Sequence, residues 1–470
     1  MALQASPTFA LQPSAEQVAV AGNYLGAADL NLLNQYLPDL YEKEFERYGD
    51  RSVSSFLRLV SAEIPSTSDL IKWTEEGRLH IKYNQVGSIV AAGAITGIFT
   101  VNDAISGGGG IAVRIGQTIV MSQNDGSGTN KALVTDTDPA AGTFTVAFYE
   151  AAGLVTAGVS AANSEVTIFI YGSEFAKGTA GMQNSLEAEE QIFDNKPIIL
   201  KDKYAVNGSD MAQIGWIEVD TDSGSGYLWY LKSASDTRTR FDDYLETSMI
   251  EAVPAETGSG VVAVAGLDQG GSEGVFHVVE ERGNVFGGGN PTTLAEWDTI
   301  VQRLDRQGSI EENVVFLNRQ FGFDIDDMLA AQNSQAPGGT SYGLFDNDKD
   351  MALNLGFTGF RRGYDFYKTD WKYLNDATMR ADLPSGGVNG LLVPAGSKTV
   401  YDQVLGKNAK RPYLHVRYRA SATEDRKLKS WVTGSAGQAA TSDMDEMEIN
   451  FLSERCICTM GANNFVLFQD

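Results

Sequence analysis

The chain has 470 residues, 36 Lys and Arg against 61 Asp and Glu, a formal charge of −25, and 50 glycines against 12 prolines. That length exceeds what one hydrophobic core usually serves, about 250 to 300 residues, so several domains or one elaborated domain are expected. The acidity excludes a general affinity for nucleic acid, which needs concentrated positive charge. The ordinary hydrophobic fraction of 43% excludes disorder, and abundant glycine with little proline predicts many turns between strands.

The opening MALQASPTFALQPSAEQVAV has neither a basic n-region nor an apolar h-region. No apolar run approaches about 18 residues, so the chain is expected to be neither exported by a secretory signal nor membrane-bound. Residues 1–36 are polar and weakly patterned and are expected to form an extended arm. From Pro38, PDLYEKEFERYG places Leu40, Tyr41, Phe45 and Tyr48 at helical spacing before Gly49. SVSSFLRLVSAEI adds a second apolar piece before Pro65, and LHIKY alternates as a half-buried strand from Leu79 to Tyr83. Residues 37–86 are thus short helices followed by first strands.

Between residues 87 and 172 charge falls and short strand-like runs follow one another: GIFTV, IAVRIGQTIVM, KALVTDT, GTFTVAFY and SEVTIFIY. Turn residues Asn124, Asp125 and Gly126 separate two of them, so a small all-β domain is predicted here. Residues 173–222 are polar and extended, with one possible helical turn from Leu186 to Phe193 and alternation in WIEVD. The clearest helix lies within 223–252: from Gly226 to Glu251 a stripe runs through Tyr230, Ala234, Thr237, Phe241, Leu245 and Met249. It would be about 35 to 40 Å long. Such a helix needs a sheet or neighbouring subunits to bury its stripe.

Residues 253–405 read as mixed α and β: a glycine-rich stretch from Gly258 to Gly274, a strand VFHVVE, a helix from Thr293 to Asp305, a strand ENVVFLN, a helix DIDDMLAAQ, and the strands GFTGFRRGYDFYK and GLLVP. Residues 406–470 return to strands in YLHVRYRA, EMEINFLSE and NFVLFQD. The fold class is α+β.

Motifs of chemistry are weak. Gly270-Gly271-Ser272-Glu273-Gly274 has the letters of a nucleophile elbow, but the predicted strand after it is the wrong context. In Gly396-Ser397-Lys398-Thr399, Ser397 interrupts the Gly-Lys of a phosphate loop. Asp346, Asp348 and Asp350 alternate as in a calcium loop, yet Met351 and Phe357 replace the required Gly and Glu, leaving a solvated acidic turn. His80, His277 and His415 each sit in a strand-like segment without zinc spacing, and Cys456 and Cys458 face one way along a strand as packed thiols. No residue is assigned a catalytic, cofactor-binding or metal-binding role. No enzyme activity and no cofactor are expected. Lys407 to Lys429 is locally basic, with Lys410, Arg411, Arg417, Arg419, Arg426 and Lys427 against Glu424 and Asp425. It is either a solvated face or a contact for acidic patches on neighbouring copies, with nucleic acid third.

Three stretches, QYLPDLYEKEFERYGDRSVSSFL, GYLWYLKSASDTRTRFDDYLETSMI, and LHVRYRASATEDRKLKSWVTG with NFVLFQD, resemble major capsid proteins of tailed bacteriophages, and within them the crAss-like group. The order of elements is similar to the capsid fold named after bacteriophage Hong Kong 97. The resemblance implies an N-terminal arm at 1–36, first elements of the peripheral domain at 37–86, an inserted all-β domain at 87–172, and an extended loop at 173–222. It further implies a spine helix at 223–252, an axial domain with part of the peripheral domain at 253–405, and closing strands of both at 406–470. It implies self-assembly into hexamers and pentamers, an icosahedral head in the virion enclosing double-stranded DNA without sequence-specific binding, and assembly in the host bacterial cytoplasm. Portal, scaffold and head-decoration proteins are the implied partners, with no membrane. Some relatives form covalent Lys–Asn links between subunits, and no residue here identifies itself for that role. The competing readings are a β-rich acidic adhesin or carbohydrate-binding surface protein, and an acidic polysaccharide-processing enzyme.

Overall fold

A computed structural model describes residues 52–470 apart from 61, 90–93, 102–110, 125–127, 152–164, 188–189, 214–218, 222–223, 227–228, 264–269, 334–357, 382, 384–385, 403–406 and 437–439. The expected arm and the helix from Pro38 therefore lie outside the described residues, as does Asp346 to Asp350. The described chain falls into two units. A larger one holds Val53–Leu200, Asp243–Lys429 and Leu452–Asp470, and a smaller one draws on Lys201–Asp242 and Ser430–Phe451.

In the larger unit, helix α1 (Phe56–Val60) leads into β1 (Ala62–Ser66) and β2 (Ile71–Glu76). Six strands then close a barrel: β3 (Lys82–Ile89), β4 (Thr96–Val101), β5 (Gln117–Gln123), β6 (Thr129–Asp138), β7 (Thr143–Phe148) and β8 (Glu165–Ser173), in the order β3-β4-β7-β6-β5-β8. Alternation sends Ile119, Met121, Val134, Phe144, Val146 and Ile168 inward to one apolar cluster. The strand read from Leu79 begins later, at Lys82. Leu79 is 79% exposed, whereas Tyr83 faces the barrel core and its hydroxyl accepts the Ala112 N–H at 2.9 Å. The core residue sets the register.

β9 (Glu190–Asn195) pairs antiparallel with β2, so the segment read as a helical turn up to Phe193 is instead a strand. Phe193 opposes Trp73, with ring centroids 6.3 Å apart, a cross-strand contact that a lone helical turn would forgo. β10 (Ile198–Asn207) follows and crosses into the smaller unit, where α2 (Gly208–Met211), the strands β11 (Val219–Thr221) and β12 (Gly224–Gly226), and the first part of α3 (Trp229–Glu251) lie. α3 is the expected long helix, starting three residues after Gly226. Along it Thr237, Phe241, Leu245 and Met249 are buried at four-residue spacing.

Back in the larger unit come α4 (Gly260–Ala263) and α5 (Val275–Arg282). The second of these contains VFHVVE, read from sequence as a strand. Val275, Phe276, Val278 and Val279 are all buried, a set spaced for one helix face, and packing overrides the strand preference of the valines. Next are β13 (Asn284–Gly287), α6 (Leu294–Gln307), β14 (Glu312–Leu317), α7 (Arg319–Asn333), β15 (Gly359–Arg362), β16 (Tyr364–Asp370), α8 (Lys372–Asn375) and β17 (Val388–Pro394). α6 starts in a capping box, with Glu296 N–H donating to Thr293 Oγ1 and Thr293 N–H to Glu296 Oε2, and stops at Gly308 with φ of 69°.

The chain then runs through β18 (Ser397–Asp402), β19 (Lys407–Pro412), β20 (Leu414–Arg419), β21 (Lys429–Gly434), β22 (Glu446–Thr459) and β23 (Val466–Gln469). A mixed six-stranded sheet, β13-β23-β17-β14-β16-β15, is buried on both faces. Leu391, Leu467 and Phe316 join one cluster with Phe56, Phe276 and Trp371, while Leu392, Phe468 and Leu317 join another with Trp297 and Phe321. Buried on both sides, its central strands β14, β17 and β23 carry continuous apolar runs. The other main sheet contains β1 parallel to β20 and β20 antiparallel to β22. β22 continues into the smaller unit, where β21 and β10 flank it and Phe451 stacks on Phe241 at 5.8 Å.

Candidate assembly surfaces

Two carboxylates one turn apart on α3 face residues 53–56. Asp243 Oδ1 accepts the N–H groups of Val53 at 3.0 Å and Ser54 at 3.1 Å. Glu246 Oε1 accepts those of Ser55 at 3.0 Å and Phe56 at 2.9 Å. Those of Ser55 and Phe56 lie at the start of α1, where N–H groups have no intrahelical partner. Burial pushes the Glu246 carboxyl above its usual range, against the pull of the backbone N–H groups. The long helix is thereby tied to the segment that opens the larger unit.

The β2–β9 ribbon has only two strands, and such a pair is marginal without a third layer. Its base is fixed by Asn195, whose side chain donates to the carbonyls of Ile457 at 2.6 Å and Glu273 at 2.9 Å and accepts from Ser272 Oγ at 2.9 Å. Among the described residues its outer part stays exposed: Ile192 is 65% exposed, and Phe175 and Leu186 in the preceding stretch are each 41% exposed.

The basic stretch meets acids of its own unit. Arg426 pairs with Glu454 at 2.8 Å, and Arg419 reaches Glu454 at 3.7 Å and also Asp69. Lys427 and the buried Arg455 share Glu63, and Lys429 pairs with Glu424 at 2.8 Å. Sequence singled out the cations. It missed Glu63 and Asp69, which reach them only because β1 pairs with β20.

Ser272 is 2% exposed and its hydroxyl is committed to Asn195, so it is not an accessible nucleophile. Gly396 precedes a strand, where a phosphate loop needs a helix. His277 lies on α5, not on a strand, while His415 sits on β20 opposite Cys458. Cys456 and Cys458 are free, buried thiols packed with Ile71 and Trp73. Hydrogen bonding to Cys458 and burial push the Cys456 thiol far up. Among the described residues no group of three His, Cys, Asp or Glu could hold a metal ion, and no helix is long and apolar enough to cross a membrane.

No protein-family model matches the sequence, and no curated relative matches it. The chain is similar to solved phage and capsid structures along most of its length. A structure from Microbacterium phage Oxtober96 is matched over 93% of this chain and 97% of its own, at 10% identity and a TM-score of 0.40. The capsid of a native GTA particle is matched over 95% and 98%, at 9% identity and a TM-score of 0.40. The asymmetric unit of the mature capsid of bacteriophage PhiM1 is matched over 92% of both chains, at 7% identity and a TM-score of 0.38.

Proposed function

We propose that this protein is a tailed-phage major capsid protein, a structural subunit and not an enzyme, that assembles into hexamers and pentamers of an icosahedral head enclosing double-stranded DNA. The observation that carries this reading is the β2–β9 ribbon, which packs one face on Cys456 and Cys458 and leaves Ile192 65% exposed on the other. An element of that kind gains its burial by lying across another copy of the chain. The six-stranded sheet, buried on both faces, supplies the packed core of the same unit.

In this reading residues 1–36 are an arm, 173–222 the extended loop, 223–252 the spine, 253–405 the axial domain with part of the peripheral domain, and 406–470 strands of both. The barrel is an inserted domain. Portal, scaffold and decoration proteins are its further partners, the virion its location, and the host cytoplasm its place of assembly. The narrower likeness to the crAss-like group rests on the three sequence stretches alone.

Negative-stain electron microscopy of the purified full chain at raised concentration tests the proposal. Hexameric rings, sheets or closed shells are expected. A monodisperse monomer at every concentration, alone and with co-expressed neighbouring head genes, overturns it.

A further inference from the structure

The outer face of the barrel carries an exposed cluster of aromatic and charged side chains. Val120 on β5 pairs with Phe169 on β8 and with Lys131 on β6, so the three form one row across the sheet. Because Ile119 and Met121 point into the barrel core, this row faces outward. Tyr171 is the extra residue of a bulge in β8, where Ile119 pairs with Ile170 and Thr118 with Gly172. The Lys131 ammonium stands 5.9 Å from the Tyr171 ring centroid. Just past β7, the Tyr149 backbone N–H donates to the Lys131 carbonyl at 3.2 Å, and its hydroxyl donates to Glu174 Oε2 at 2.5 Å.

Three aromatic rings are thus exposed on this face, 44% (Phe169), 50% (Tyr171) and 48% (Tyr149). Partial burial and the Glu174 hydrogen bond push the Tyr149 hydroxyl up to about 12, so it remains a donor at neutral pH. Lys131 has no ion-pair partner among the described residues, and Glu174 keeps one carboxylate oxygen free of any described hydrogen bond.

We propose that this face, centred on Tyr149 and Tyr171 with Lys131 and Glu174 at its rim, is a binding site for a neutral oligosaccharide. A pyranose presents a flat apolar C–H face and a rim of hydroxyls that both donate and accept. Exposed tyrosine rings match the first, having an apolar body and a polar tip. Lys131 donates to the hydroxyls and Glu174 accepts from them, both as charge-assisted bonds. One cation and one anion give the cluster no net charge, which favours a neutral ligand. Glu174, together with a chain charge of −25, disfavours a phosphate backbone. A flat, open platform binds weakly per site, and many copies on one particle would raise avidity.

The test uses the full chain and four soluble probes, maltohexaose, cellohexaose, xylohexaose and chitohexaose, in calorimetric titrations at neutral pH. Saturable binding of at least one is expected, weakened by about tenfold in Glu174→Gln, a shift a calorimeter resolves readily. Binding should be lost in Tyr149→Ala/Tyr171→Ala, with the thermal transition of the parent retained. Failure of all four probes, or binding that survives the double substitution, overturns the proposal. If the double variant does not fold, Tyr171→Ser and Lys131→Ala, at half-exposed and exposed positions, replace it under the same criterion. Shell formation is read separately by microscopy, so the two proposals fail independently.

Discussion

Glu246 on the long helix α3 receives the backbone N–H of Phe56 at 2.9 Å across 190 residues of sequence, and Asp243 one turn away receives that of Val53 at 3.0 Å. Four donors end on two side chains that are each 6% exposed. Replacing either acid by Ala removes the acceptor of two N–H groups, one of them on a buried residue, at about 1 to 3 kcal/mol. Denaturant unfolding of Asp243→Ala and Glu246→Ala, each compared with the surface variant Asp242→Ala, checks this. A cost below that of Asp242→Ala would contradict the clamp.

The pH dependence at Glu246 has a definite sign. Its folded-state value is raised, so its contribution to stability is largest below the unfolded glutamate value of about 4.3 and declines as pH rises through the raised value. Asp298 has the opposite sign, because its hydrogen bond to Arg362 lowers it. Its contribution is present above the unfolded aspartate value of about 3.9 and is lost as pH falls through the depressed value. Glu246→Gln is expected to remove the first slope and Arg362→Ala the second, in urea titrations between pH 3 and 7.

Glu63 holds both Lys427 and Arg455. Arg455 is 6% exposed and also donates to Ser453 Oγ and to the Lys427 carbonyl at 2.9 Å each. Glu63→Ala leaves that guanidinium short of countercharge and is expected to cost about 1 to 3 kcal/mol. Lys72→Ala, which breaks a pair with Asp194 that is half exposed on both sides, should cost at most about 1 kcal/mol. Equal effects in chemical denaturation would show that β1 and β20 are not held by this network.

Cys456 and Cys458 are each no more than 1% exposed, so a reagent in solvent cannot reach either sulfur. Both thiols should resist a chromogenic disulfide reagent in buffer and titrate fully in guanidinium. Rapid reaction of either in the native protein would place it at the surface.

Ile192→Asp alters a side chain that is 65% exposed, so unfolding should shift by no more than about 0.5 kcal/mol. On the proposed assembly, shells or rings should nevertheless be absent by electron microscopy, because a charge would replace the apolar contact proposed between copies. Normal shells from this variant would exclude the ribbon as an assembly contact.

Local pattern was enough for the elements whose faces are one-sided. The stripe of Thr237, Phe241, Leu245 and Met249 reveals α3, and the alternation around Ile119 and Phe144 reveals the barrel strands, because each buries one face at a fixed period. VFHVVE and the approach to Phe193 misled for the same reason in reverse. A short apolar run carries no period that separates helix from strand, and packing on Trp371 in one case, pairing with Trp73 in the other, decided between them. The cations from Arg419 to Lys429 were legible as a cluster, but their partners Glu63 and Asp69 were not. Those acids lie some 350 residues earlier in the chain, and only the parallel pairing of β1 with β20 brings them within Coulomb range, where salt and water no longer screen them fully.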